Sequence, residues 1–361
     1  MDEIRIGNFL GDNSTTDLTA PLEVTWILEV IARQIYNTSI FSGISFDVGI
    51  IGVIGNILVM IVYSKLGFVE SIHISYVALA AVDLCSVVSI IGPALLRRVL
   101  LPFLNIHLQD LSLFTNVITG WPNMAFTRTS ALITAWISLE RCLCVTFPIT
   151  FKIAVTRAVT KVVVMTIFVV GCVPIIFGYS GYSFQWDSDP EKNQTVLLVF
   201  NNQSNKLNLL NRIALILYGA IYPMLAWVTV SICTMVLVIK LKQSNQWRQR
   251  NARARITGQV RGRDEARMSI QKLRVTKTVV IVASLFIALS FPASVHLLLT
   301  LVMREKFAND GLYPYLFMAM SFITLVSNEI NSCVNIFVFT AMGSKFRKAL
   351  WQVLHITCSG N

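Results

Sequence analysis

This sequence predicts an all-α fold: a seven-transmembrane helix bundle followed by a short cytoplasmic amphipathic eighth helix. Three observations carry that prediction. Of 361 residues, 55% are hydrophobic and only 14% charged, far too much apolar side chain for one soluble core. Seven windows reach the roughly 20 mostly apolar residues that a bilayer-spanning helix needs. Those windows also lack the period-two alternation of barrel strands, so helices must satisfy their backbone groups within hydrocarbon.

The windows run 44–65, 73–96, 113–139, 158–180, 210–240, 275–303 and 312–340, each separated by polar, charged or Gly/Pro-containing sequence. The first contains GVIGNILVM with Asn56, and the second SYVALAAVDLCSV with Asp83. SLERCLCVTFP closes the third, Pro223 lies in the fifth, and FIALSFP, ending at Pro292, lies in the sixth. The seventh holds SNEINSCVNIFVF, residues 327–339. The basic stretch GSKFRKALWQVL follows it and supplies the eighth helix. Domain boundaries follow: an extracellular, glycosylated tail over 1–43, the helix bundle over 44–341, and a cytoplasmic helix and tail over 342–361.

Orientation comes from Lys and Arg. With the N-terminus outside, the cytoplasmic side holds Lys65, Arg141, Lys152, Arg157, Lys161, the basic set between Lys240 and Lys277, Lys345, Arg347 and Lys348. The outer side keeps Asp2, Glu3, Asp12, Asp17, Asp187, Asp189 and Glu191, the asymmetry of the positive-inside rule. The net charge of +11 is thus a topology signal, with membrane lipids rather than nucleic acid as the partner. Sequons at Asn13, Asn37, Asn193 and Asn202 all fall on the side this topology places outside. Residues 1–20 are polar and acidic, so the first helix is expected to act as the insertion signal. The seven cysteines lie in helices or on the cytoplasmic side and offer no extracellular disulfide; Cys358 is either a palmitoylation site or a free thiol.

Polar residues inside these apolar windows need an explanation. Steps of 100° put Asn328, Asn331, Ser332, Asn335 and Phe339 on one arc of the seventh helix, with Glu329 on its flank. Such groups are costly in hydrocarbon, so this face is expected to turn inward and meet Asp83 and Asn56 in a mid-membrane cluster.

Together, GNILV, the Asp of the second helix, SLERCLCVTFP, Pro223, FIALSFP and NSCVNIFVF resemble the rhodopsin-like (class A) G-protein-coupled receptors over residues 44–355. GWP, ERCLCV and INSxVNIF look like the chemosensory receptors of gastropod molluscs. The resemblance implies a plasma-membrane receptor that passes binding of an extracellular small-molecule or peptide ligand to a heterotrimeric G protein. It implies that Asp83, Ser130, Asn331, Ser332 and Asn335 enclose a sodium ion, with Asn56 as a further polar anchor; a hydrogen-bond network without an ion is the alternative. No other metal or cofactor is implied. Arg141 and Glu140 match the pair at the cytoplasmic border, and Pro148 and Ile149 match the second-loop contact with the G protein. Pro223, Phe286, Pro292 and Phe339 fall on the helices that move in activation.

The departures from the family pattern are specific. Cys142 replaces a tyrosine, Ile336 a proline, Phe339 a tyrosine and Ser290 a tryptophan. Asn116 stands where the first cysteine of an extracellular staple would fall, which leaves the 181–209 loop less constrained. Lys272 replaces the acid that usually faces the arginine; two cations cannot lock, so raised basal signalling is expected.

The ligand is expected in the outer half of the bundle. Arg128 lies 13 residues before Arg141, about 20 Å further out along a helix. Two readings stay open: a permanent Arg128–Glu329 ion pair, or Arg128 meeting a ligand carboxylate and Glu329 its amine, as an amino acid would supply. Asn123, Met124, Thr127 and Leu325 would line the same site. Two rivals are a seven-helix ligand-gated channel, with its N-terminus inside, and a non-signalling membrane protein. An enzyme is disfavoured, since His73, His107, His296 and His355 are isolated and no nucleophile motif occurs.

Overall fold

Hydropathy sets the long elements of this chain, and Gly, Pro and Thr set their ends. The computed structural model describes residues 40–68, 70–95, 107–108, 116–189, 194–201, 205–252, 263–303, 306–307 and 311–358. Helix α1 (Ile40–Leu66) stops where Gly67 takes φ 75°, a left-handed position that only glycine adopts cheaply, and Gly67 N–H closes on the Ser64 carbonyl at 3.2 Å. Helix α2 (Ser71–Leu95) follows. A π-helical turn, Asn116–Gly120, leads into α3 (Trp121–Thr146), which opens with Pro122 in its first turn, where a missing N–H costs nothing. Pro148 starts the short α4 (Pro148–Ala154) in the same way. Thr156 then caps α5 (Arg157–Cys172), its hydroxyl accepting from Val159 N–H at 3.3 Å. Pro174 interrupts the ladder and opens α6 (Pro174–Tyr179), but Val173 stays helical, so α5 and α6 form one path.

Helix α7 (Asn205–Ile216) passes through a second π-helical turn, Leu217–Ile221, into α8 (Tyr222–Ala252). Then come α9 (Arg263–Val302), with Pro292 inside it, α10 (Pro314–Met342) and α11 (Ser344–Cys358). Packing closes a ring, α1 on α2, α2 on α3, α3 on α8, α8 on α9, α9 on α10, and α10 back on α1, with α5 against α2 and α3. Helix α11 buries Phe346, Ala349, Leu350 and Val353, a three-and-four spacing that makes one apolar face, while Arg347 donates to the Thr340 and Ala341 carbonyls at the end of α10.

Among the described residues, six stretches are long and apolar enough to cross a membrane: Phe46–Leu66, Ser71–Gly92, Arg157–Tyr179, Leu209–Gln243, Thr276–Thr300 and Pro314–Ala341. Their outward side chains are apolar, as with Ile50, Ile54, Ile57 and Ile61 on α1 and Val162, Met165 and Val169 on α5. Buried positions hold Asn56, Asp83, Ser130, Glu140, Glu329 and Asn335. That inversion of the soluble pattern identifies a multi-pass membrane protein. Helix α3 carries Arg128, Glu140 and Arg141 and is not among the six. It touches α2, α5, α8, α9 and α10, so protein rather than lipid surrounds it and its surface need not be apolar.

Two expectations need correction. The 113–139 window ended the third helix too soon; α3 runs on to Thr146, because neighbours shelter the charges that ended the apolar count. The fold is not all-α either. Strand β1 (His107–Leu108) pairs parallel to β3 (Gln194–Asn201), and β3 pairs antiparallel with β2 (Tyr182–Asp189) from Tyr182↔Asn201 to Asp189↔Gln194. Ladder bonds, not a disulfide, thus order the segment after α6. Its signal was there: aromatic and β-branched residues in two eight-residue runs on either side of a Pro-containing polar stretch.

Candidate functional site

Helix α3 threads three polar centres in turn. At its middle lies the expected cluster. Asp83 is fully buried on α2 and accepts from Ser130 Oγ at 2.5 Å and Asn335 Nδ2 at 2.8 Å, with Ser332 beside it. Asn56 Nδ2 donates to the Gly52 carbonyl and, across to α10, to the Ser332 carbonyl, both at 3.0 Å. Four helices are joined here through groups that would be costly in lipid unless paired. Oxygens of Asp83, Ser130 and Ser332 are hard donors and suit a small cation. Asn335 presents its N–H to the carboxylate, and Asn331 faces elsewhere, lining the cleft described below.

At the end near Gly67 and Pro148, Glu140 is buried and heavily bound. It accepts from Ser71 Oγ at 2.5 Å, Ser75 Oγ at 3.3 Å and Arg141 Nη2 at 2.8 Å. Among the described residues Glu140–Arg141 is the ion pair within 4.0 Å. The Arg141 guanidinium also sits 5.8 Å from the ring centre of Phe151, on α4, whose Pro148 and Ile149 are exposed. Beside this pair an aromatic cluster joins α1, α2, α10 and α11: Phe339 lies 4.6 Å from Tyr76 and 5.5 Å from Tyr63, and Tyr63 lies 5.2 Å from Phe346. Lys272 lies on α9, and its side chain is outside the described residues.

Towards the opposite end, a small cleft opens between α3, the second π-turn, α8, α9 and α10. Thr127 and Arg128 line it, with Gly219, Pro223 and Trp227, then Phe286, Ser290 and Ser294, then Asn328 and Asn331. Arg128 Nε donates to the Tyr218 carbonyl at 2.7 Å. In that π-turn Tyr222 N–H reaches back to the Leu217 carbonyl, and the widened register leaves the next carbonyl to the arginine. Tyr218 and Tyr222 then tie the same region to α5, donating to the Gly171 carbonyl at 2.8 Å and the Val170 carbonyl at 3.0 Å.

The expected ligand residues separate. Asn123 donates to the Ser86 carbonyl at 3.2 Å, and Thr127 shares a 2.9 Å bond with Ser86 Oγ, so both engage α2. Met124 packs on the Trp121 and Tyr218 cluster, and Leu325 is partly buried. Glu329 is 1% exposed and belongs to another seam: its Oε1 lies over Gly49 of α1, beside Ile91 of α2. No ion pair joins it to Arg128. Pro223 and Phe286 line the cleft, while Pro292 stays within α9. Asn13, Asn37, Asn193 and Asn202 and the Cys358 side chain lie outside the described residues.

Sequence reasoning missed Ser71, Ser75, Tyr76, Ser86, Tyr218 and Trp227. Ser71, Ser75, Asp83 and Ser86 form a stripe of steps of three, four and eight along α2, which helical periodicity could have exposed. The link from Arg128 to a backbone carbonyl leaves no such trace.

No curated protein matches this chain. The family model described as serpentine type 7TM GPCR chemoreceptor Srw matches residues 43–357, nearly its whole length. With helices packed as above and polar groups inside apolar spans, the chain belongs to the Srw family of serpentine seven-transmembrane G-protein-coupled chemoreceptors.

Proposed function

We propose that this chain is a plasma-membrane chemosensory receptor of the rhodopsin-like type, akin to the gastropod receptors. Its N-terminus is outside, α3 completes seven spans, and α11 is the cytoplasmic eighth helix. A small ligand enters the cleft between α3, α8, α9 and α10. A heterotrimeric G protein meets the opposite pole at Arg141, Pro148 and Ile149. The observation that carries this reading is that one helix holds all three centres: Arg128 in the cleft, Ser130 on Asp83, and Arg141 on Glu140. A ligand that shifts α3 against α8 or α10 therefore disturbs the polar cluster and the ion pair together.

The 2.8 Å Glu140–Arg141 bond, buttressed by Ser71 and Ser75, corresponds to the resting arrangement. Freeing Arg141 exposes a cation towards the transducer. A sodium ion, if bound, would be held by Asp83, Ser130 and Ser332 and would favour the state in which these groups converge. The test is reconstitution of purified receptor with G proteins. Nucleotide exchange should require Arg141 and disappear in Arg141→Ala, while ligand binding in the cleft persists. Exchange that survives Arg141→Ala would reject the coupling role. Loss of N-glycans from the intact cell surface on glycosidase treatment would separate the receptor from a channel with its N-terminus inside.

A further inference from the structure

We infer that the cleft is built for a small carboxylate anion rather than an amino acid or an amine, an inference that rests on the receptor reading above and names its ligand class. Two donor-only side chains line a space with no acid among its described lining residues. Arg128 lines the cleft with Nε committed to the Tyr218 carbonyl at 2.7 Å, a bond that fixes the plane of the guanidinium and leaves its terminal N–H fork uncommitted. Trp227 lines the same cleft, and its buried indole N–H has no acceptor among the described residues. A guanidinium and an indole can donate but never accept, so the ligand must bring acceptor oxygens.

The cleft also lacks what an amine needs. Glu329, the acid that would receive an ammonium, lies at Gly49 in the α1–α2–α10 seam, and no Asp or Glu is among the described residues that line the cleft. An amino acid would desolvate its ammonium without a counter-charge, which disfavours it against a plain carboxylate. Hydroxyls and amides of Ser290, Ser294, Asn328 and Asn331 give neutral contacts to the rest of the ligand, and Phe286 and Pro223 give apolar ones. The cleft is small, which suits a small molecule and excludes most of a peptide.

The probe is a series of straight-chain monocarboxylates from acetate to octanoate with benzoate and lactate, each matched to its primary amide and its amine. Binding is read by thermal shift on purified full-length receptor, and signalling by G-protein nucleotide exchange. At least one carboxylate should raise the melting temperature and trigger exchange, with its amide and amine inactive, and with affinity lost tenfold or more in Arg128→Gln. Because Arg128 also holds the Tyr218 carbonyl, two further variants guard against misfolding. Trp227→Phe keeps an aromatic ring and removes the donor, and should weaken binding several-fold. A Cβ at Gly219 meets nothing within 4 Å, so Gly219→Leu should fill the cleft and abolish binding while the protein still folds. Glu329→Gln should leave carboxylate affinity within twofold. Amines or amides that bind while carboxylates do not, or a wild type indifferent to the whole series, would overturn the ligand class and leave the receptor reading standing. Carboxylate binding without exchange would support the ligand class and reject the receptor reading instead.

Discussion

At the scale of single residues, the informative feature is how the buried charges are matched. Asp83 and Glu140 are both fully enclosed, yet each is met by hydroxyl donors from a neighbouring helix, Ser130 for the first and Ser71 and Ser75 for the second. A buried carboxylate that loses a donor keeps its desolvation cost, about 1–3 kcal/mol for the unmade bond. Ser130→Ala should therefore destabilise detergent-purified receptor by about 2 kcal/mol. Asp83→Asn should cost less, because a neutral amide asks less of its surroundings. Thermal unfolding of the two variants decides the order, and a Ser130→Ala protein that melts with the wild type would refute the argument. Residue types made this cluster legible in advance, since an Asp and several amides in apolar windows had to converge. Arg128 was legible only as a charge in need of a partner. Its actual partner is a carbonyl freed by a π-turn, and neither composition nor helical periodicity signals that.

Among elements, α3 and α9 define the end that the proposed function assigns to signalling. Helix α3 brings its arginine to its own Glu140, so this contact lies within one helix and does not bind α3 to α9. On the proposed reading Lys272 stands where an acid would bridge the two, and among the described residues α9 is held by packing at Ala283 and Phe286. Lys272→Glu should supply the missing bridge and lower basal G-protein activation in cells to well under half of wild type at matched surface expression. Unchanged basal activity would sink that account. The spans themselves were readable because about 20 apolar residues have few other fates. The β2–β3 hairpin was not read, because short alternating runs give a far weaker signal than a span and because the absence of cysteines suggested a loose loop. Eight consecutive register pairs hold it instead.

Over the whole molecule, polarity is turned inside out: the lipid-facing sides are apolar and the polar groups gather on and around α3. That helix is the one long element whose own composition does not suit hydrocarbon, and its comfort depends on the company of α2, α5, α8, α9 and α10. Arg or Asp at mid-membrane costs about 2.5–3.5 kcal/mol in translocon-mediated insertion. The consequence reaches back to synthesis. Residues 116–146, presented to the translocon as an isolated segment, should partition poorly, and their integration should rise severalfold when residues 1–95 are translated ahead of them. Glycosylation tags placed on either flank report the two outcomes, and efficient integration of the lone segment would contradict the idea. If it holds, α1 and α2 act as a chaperone in cis for the helix that holds the polar centres, and damage to either would surface first as a protein retained in the endoplasmic reticulum.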